Sequence, residues 1–249
     1  MTKDLLSERA AWARLLDRAS EPYRGAGRFA WHFARGKLGR DPVFRHLLAA
    51  GLIPPGARVL DIGCGQGLLA SLLRACAAMR AAGEWPQSWP EAPAGTQLTG
   101  IELMSRDVER ARSALGEGAD ARFVCGDMRS EPYPSSHAVV ILDVLHYVTH
   151  AEQDAVLQRV HDALVPGGRL LLRVGDADER RGFAVSQWVD RAVTRVRGHS
   201  VPPVYGRPLA DWIAQLRKLG MQVEPRPMSQ GTPFANVLLV AQRSGSSAS

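Results

Sequence analysis

The chain has 249 residues, of which 45% are hydrophobic and 22% charged. Those ordinary globular values exclude wholesale disorder and fibrous architectures. At this length roughly 70% or more of the extended-chain surface can be buried, so no disulfide or metal staple is required. Three cysteines (Cys64, Cys76, Cys125) lack CxxC spacing and cannot all pair, which points to a reducing, cytoplasmic setting. The opening MTKDLLSERAAWARLL is charged and helix-periodic, so no secretory signal is expected. The longest largely apolar run, Ala138 to Val144 with Asp143 within it, is strand-sized, and no membrane insertion is expected.

The formal net charge is +6, which raises the question of nucleic acid. The excess is local, however. Residues 1–50 hold ten Lys or Arg against five Asp or Glu, and only three of the 31 basic residues are lysines (Lys3, Lys37, Lys218). Arginine dominance of that kind reflects composition and argues against a nucleic-acid partner. Two readings of the segment stay open: a solvated basic cap, or a docking place for an acidic partner or substrate.

The first fifty residues read as a helical N-terminal cap. Leu5, Trp12 and Leu16 share a helical face, and Phe29, Trp31 and Phe33 stand among Arg24, Arg28, Arg35 and Lys37. Pro54-Pro55-Gly56 ends this segment. A second region, 51–243, follows, and a flexible Ser/Gly tail occupies 244–249. Within 51–243, ARVLDIG predicts a strand and GLLASLLRACAAMRAA a helix. Residues 83–95 (GEWPQSWPEAPAG) form an irregular insertion whose Trp85 and Trp89 either pack the loop down or edge a pocket. QLTGIE, ARFVCGD and HAVVILDVLH are strands, and RDVERARSAL is a helix with Ser105 as its N-cap. Thr149 and Glu152 form a capping box that opens the helix AEQDAVLQRVHDAL. Pro166-Gly167-Gly168 turns into the strand RLLLRVG. Helical spacing recurs from Val185 to Val196 and again from Leu209 to Leu219, the latter stopped by Gly220. MQVEPRP and NVLLVAQ are the last strands.

Strands alternating with helices predict an α/β fold with a doubly wound, mostly parallel sheet built from the seven strands just named. In such sheets ligands bind at the carboxyl ends of the strands. Asp61 to Gly67, Glu102, Asp127 and Asp143 to His146 all fall at strand ends. Between the first strand and its helix lie Gly63, Gly65 and Gly67, which permit a tight turn and close approach of a ligand to the backbone. The spacing is G-x-G-x-G rather than the G-x-G-x-x-G of dinucleotide folds, since Leu68 stands at the third position.

With these motifs the sequence resembles the class I S-adenosylmethionine-dependent methyltransferases, from about residue 56 to 175 by motif and to about 242 by element order. The resemblance implies a Rossmann-like, seven-stranded fold whose last two strands form an antiparallel edge, and S-adenosyl-L-methionine as cofactor. It implies that the loop of Asp61, Gly63, Cys64, Gly65 and Gly67 wraps the methionine moiety. Glu102 would then accept the ribose hydroxyls with Leu103 against the adenine, and Asp127 the adenine amino hydrogens with Met128 beside it. Asp143 would lie near the cofactor's ammonium group through its backbone carbonyl. In one departure, Ala138 stands where many members carry an aspartate early in the fourth strand; in another, the Trp/Pro insertion lengthens the gap before Glu102.

A phenolic acceptor needs a general base as well as alignment. His146 is the first candidate, with Tyr147 as a substrate hydrogen-bond partner; each also has a purely structural reading. His146 and His150 are four apart but do not share a helical face, and no third ligand stands near, so no metal site is expected. LDVL replaces the Asp/Asn-Pro-Pro-Tyr/Phe motif of exocyclic-amine methylation, which leaves an oxygen or carbon of a small molecule as acceptor. Trp31, Phe33, Trp85, Trp89, Trp188, Tyr205 and Phe234 are candidates for an aromatic pocket. FAVSQWVDRA, LDVLHYV and GTPFANVLLVA are similar to methyltransferases of bacterial aryl-polyene pigment clusters. That resemblance implies a hydroxyaryl or polyketide-type acid, free or on an acyl carrier protein. The alternatives are an NAD(P)-dependent oxidoreductase and a non-catalytic SAM- or RNA-binding protein. Oligomeric state is not legible.

Overall fold

The computed structural model describes residues 2–175, 204–228 and 236–245. The helix expected from Val185 to Val196, together with Trp188 and Phe234, lies outside these residues. Two compact units divide the chain at Ala138/Val139, and seven strands form a sheet in the order β3-β2-β1-β4-β5-β7-β6.

The first unit begins with three helices, α1 (Thr2–Ser20), α2 (Arg28–Arg40) and α3 (Pro42–Ala49), with a 3-10 turn at Glu21–Arg24. On α1 the buried stripe is Ala11, Leu15 and Ala19, one residue before the face read from Trp12 and Leu16, which are half-buried. Small residues let α1 lie close on α4 (Leu68–Ala81), where Leu68, Leu69, Leu72, Leu73, Ala75, Cys76 and Met79 are all buried. A helix apolar on more than one side is one covered on more than one side. Each large aliphatic chain so buried contributes about 1.5–3 kcal/mol. Asp41 caps α3 by accepting the Val43 N–H at 3.1 Å.

The 83–95 insertion is packed down on α1. Trp89 meets Trp12 at 6.4 Å and Trp85 edge-on at 5.3 Å between ring centroids, and Ser88 donates to Glu8 at 2.7 Å. The basic residues of the helical segment are extensively paired: Arg14 and Arg18 with Glu84, Arg24 with Glu21, Arg35 with Asp17, Lys37 with Asp41 and Arg45 with Glu8.

The strands β1 (Arg58–Ile62), β2 (Gln97–Glu102) and β3 (Ala121–Cys125) run parallel. Their register sets Ile62 beside Ile101 and Glu102 beside Cys125, so the three following loops leave one edge together. Helix α5 (Ser105–Leu115) starts one residue earlier than expected. Met104 is the N-cap and no side chain caps it; Ser105 is already helical, because the Glu102 carboxylate takes the Met104 N–H at 2.9 Å and closes the turn first.

β4 (Ser136–Leu142) crosses from one unit into the other, with Ala138 fully buried. The second unit continues with a 3-10 turn (Leu145–Tyr147), α6 (His150–Ala163), β5 (Leu164–Gly175), α7 (Leu209–Lys218), β6 (Met221–Pro227) and β7 (Asn236–Arg243). The Thr149/Glu152 capping box is formed, and Gly220 ends α7 at φ +77°. Pro166-Gly167-Gly168 does not precede β5 as a separate turn but is absorbed into it. β7 runs antiparallel to both β5 and β6, pairing Leu172 with Leu239 and Val223 with Ala241, and leaves β6 at the edge.

Candidate active site

In the first unit the site is built from the loop after β1. Gly63, Gly65 and Gly67 all have positive φ (+77°, +54° and +77°). Gly67 is fixed twice over, since a Cβ there would sit 2.9 Å from the Phe123 ring. Nothing lies within 4 Å of a Cβ at Gly65, so the space above that backbone is open. The loop is stitched to β2 by Gly63 N–H and Cys64 N–H, which both donate to the Ile101 carbonyl at 2.8 and 3.2 Å.

Glu102 completes the structure. Its two carboxylate oxygens accept the Gly65 N–H at 3.0 Å and the Met104 N–H at 2.9 Å. Burial raises its pKa, and the two backbone donors pull the other way. Asp61, 5% exposed, has its carboxyl pushed up to about 7 by burial, helped by the Glu102 charge. Burial likewise raises the Cys64 thiol well above its usual range, so it is no activated nucleophile. Leu103, by contrast, is 64% exposed.

Asp127 follows β3 with its carboxylate held by Arg129, through the guanidinium at 2.6 Å and the backbone N–H at 2.8 Å. That pairing lowers its pKa. The Met128 carbonyl accepts the Tyr133 hydroxyl. Sequence reasoning missed Tyr23 and Gln66. Tyr23, fully buried, donates its hydroxyl to the Gln66 carbonyl at 2.9 Å, and Ser71 donates to the Ala19 carbonyl at 2.6 Å, tying the helical segment to the loop. The Gln66 side chain is 3% exposed, and neither its nitrogen nor its oxygen has a hydrogen-bond partner among the described residues.

These features suit a nucleoside carrying a charged tail. An orphaned amide, an open approach to the Gly65 backbone, a carboxylate at the end of β2 and an apolar side chain in water beside it each lack something that such a ligand provides.

Asp143, His146 and Tyr147 lie together in the second unit. Asp143 adopts φ +59°, uncommon outside glycine, and pairs in two places with the buried Arg173, whose Nε donates at 2.9 Å. Arg173, on β5, had no signal in the sequence beyond its place in an apolar strand. His146 has its pKa lowered by burial, against the pull of Asp143. Its ring lies 4.1 Å from that of Tyr147. Among the described residues no group of three His, Cys, Asp or Glu could hold a metal ion, and no helix is long and apolar enough to cross a membrane.

A seven-stranded sheet with β7 reversed, and a glycine loop gripped by an acid on the next parallel strand, define a Rossmann-like methyltransferase fold. Residues 59–168 match the family model described as a methyltransferase domain. The chain is 28% identical over 192 residues to the ubiquinone biosynthesis O-methyltransferase of Xanthomonas axonopodis pv. citri, covering 74% of this chain and 70% of that one. It is 35% identical over 120 residues to the carboxy-S-adenosyl-L-methionine synthase of Chromohalobacter salexigens, covering 47% of this chain and only 39% of that one. The fold is that of the Synechocystis magnesium protoporphyrin IX methyltransferase solved with SAH, at a TM-score of 0.57 and 21% identity over 88% of this chain and 89% of that one. Residues 59–168 are a methyltransferase domain, and the chain is an S-adenosylmethionine-dependent methyltransferase. That assignment sets aside the oxidoreductase and non-catalytic readings.

Proposed function

We propose that this enzyme methylates an oxygen of a small hydroxyaryl or polyketide-type acid, free or bound to an acyl carrier protein. The relative named for O-methyl transfer in ubiquinone biosynthesis supports oxygen over carbon. In this reading Asp61, Gly63, Cys64, Gly65 and Gly67 hold the methionine portion of S-adenosylmethionine. Glu102 takes the ribose hydroxyls, Leu103 and Met128 flank the adenine, Asp127 receives its amino group, and the Asp143 carbonyl faces the ammonium. Residues 1–50 form the cap, 51–243 the methyltransferase domain and 244–249 the tail. The excess of ten Lys or Arg over five Asp or Glu in residues 1–50 supports an acidic carrier as partner.

When bound, S-adenosylmethionine supplies an electrophilic methyl on a sulfonium sulfur. His146 takes the proton of the acceptor hydroxyl at a ring nitrogen, and Tyr147 hydrogen-bonds the acceptor. The observation that carries this reading is geometric: the turn after β4 sets the His146 ring 4.1 Å from that of Tyr147 and near Asp143, with burial lowering the histidine's pKa. Its imidazole is neutral at pH 7 and ready to accept a proton from a phenol of ordinary pKa near 10. Incubating the enzyme with labelled S-adenosylmethionine and hydroxyaryl acids, free and carrier-bound, and locating the methyl by mass spectrometry tests it. Label on an aromatic oxygen is the expected result. Label on carbon alone, or none, rejects it.

A further inference from the structure

Residues 204–208 have no regular secondary structure, yet two buried polar side chains hold them. Gln153, on α6 and fully buried, points its amide nitrogen at the carbonyls of Leu145 (3.1 Å), Val148 (3.0 Å) and Tyr205 (2.8 Å). Arg207, 8% exposed, donates to the His150 carbonyl at 2.6 Å, pairs with Asp154 at 2.8 Å and lies 5.2 Å over the Trp212 ring. The His150 ring meets the Gly206 carbonyl at 3.2 Å. The central link is between backbones, where the Tyr205 N–H donates to the carbonyl of His146 at 2.8 Å.

Burying an amide and a guanidinium is costly unless each is hydrogen-bonded. Apart from Asp154 and Trp212, every partner here is a backbone carbonyl of the His146 turn, of His150 at the start of α6 or of residues 205–206. The arrangement therefore fixes Tyr205 relative to His146 to within a hydrogen bond, on an irregular segment that would otherwise be free to drift. The Tyr205 ring is half-buried and meets His150 edge-on at 6.2 Å. Its hydroxyl makes no hydrogen bond among the described residues. A tyrosine offers a large apolar body with a polar tip, suited to a ring-bearing ligand that also carries a hydrogen-bonding group.

We propose that Tyr205 is an acceptor-specificity residue that contacts the ring of an aromatic hydroxy acid beside His146, and that Gln153 is the positioning residue that holds it there. The inference rests on the hydroxyaryl reading above and on His146 marking the acceptor site. A misplacement of about 1 Å at such a site can cost on the order of 100-fold in rate.

The test compares wild type, Tyr205→Ala, Tyr205→Phe and Gln153→Ala in transfer from labelled S-adenosylmethionine to a series of hydroxyaryl acids, with SAH affinity measured by calorimetry. Tyr205→Ala is expected to raise acceptor KM at least tenfold and to reorder acceptor preference, with the SAH Kd unchanged within twofold. Tyr205→Phe then separates ring contact (KM restored) from hydroxyl contact (KM still raised), and either keeps Tyr205 at the acceptor. Gln153→Ala is expected to lower kcat/KM for the acceptor at least tenfold with SAH affinity intact. Unchanged KM and preference in Tyr205→Ala overturn the inference. So does a joint loss of SAH affinity, kcat and melting temperature, which marks a purely structural role. No transfer by the wild-type enzyme to any hydroxyaryl acid instead overturns the functional reading beneath it.

Discussion

The carboxylate of Glu102 accepts the backbone N–H of Gly65 at 3.0 Å, across 37 positions of sequence. One side chain thus sets the conformation of the glycine loop and stands at the place assigned to the ribose. Glu102→Ala removes both contributions. The expected outcome is a loss of at least tenfold in SAH affinity by calorimetry, roughly 1.4 kcal/mol or more, with Glu102→Gln falling between the two. Because its other oxygen holds Met104, a small drop in melting temperature accompanies the loss.

Gly65 and Gly67 share a backbone conformation but not a surrounding, and alanine separates their roles. At Gly67 the new methyl meets Phe123 at 2.9 Å and Leu115 at 3.1 Å. Strain and overpacking together predict a loss of about 2–4 kcal/mol in urea unfolding. At Gly65 there is no clash, so the unfolding cost stays near 1 kcal/mol. SAH affinity nevertheless falls sharply, because the methyl fills the approach to the loop backbone.

The Asp61 carboxyl sits at about 7 in the folded chain, well above its ordinary value of 3.8. A carboxyl that holds its proton more tightly when folded makes the native state bind more protons than the unfolded one between those two values. From this group alone, stability falls as pH rises from about 4 to about 7 and levels off above. Asp61→Asn is expected to flatten that slope in urea titrations run across the interval. An unchanged slope would show that Asp61 does not carry the proton.

For His146 the sign is opposite. Burial lowers its pKa, so the neutral imidazole persists below the usual value of 6.5. Methyl transfer is expected to hold its rate down through pH 6.5 and to fall only as the ring gains its proton in more acidic solution. His146→Ala slows transfer at least 100-fold, leaves SAH affinity within about twofold, and removes the acid limb of the pH–rate profile.

Local pattern carried much of this fold to the reader of the sequence. QLTGIE and MQVEPRP coincide with β2 and β6, and the Thr149/Glu152 box opens α6 where the spacing put it. Elements whose ends depend on distant partners were less legible. Ser105 lost the capping position because Glu102 closes that turn, and Pro166-Gly167-Gly168 extends β5 because the strand's pairing continues past the motif. At the candidate site, residue types at strand ends pointed to Glu102, Asp127 and His146, whose roles are proposals. Their couplings were invisible: Tyr23 reaching Gln66 from 43 positions away, Arg173 holding Asp143 from 30 positions away, and Gln153 gathering three carbonyls. Such long-range pairs leave no periodicity to read.

The tryptophan-bearing insertion has a consequence for how the leading helix is retained. Trp89 against Trp12 and Ser88 against Glu8 make the loop and α1 mutual cladding. Neither has a weatherproof surface alone. Trimming one without the other would leave an indole facing solvent, so a shorter version of this enzyme has to surrender both pieces together.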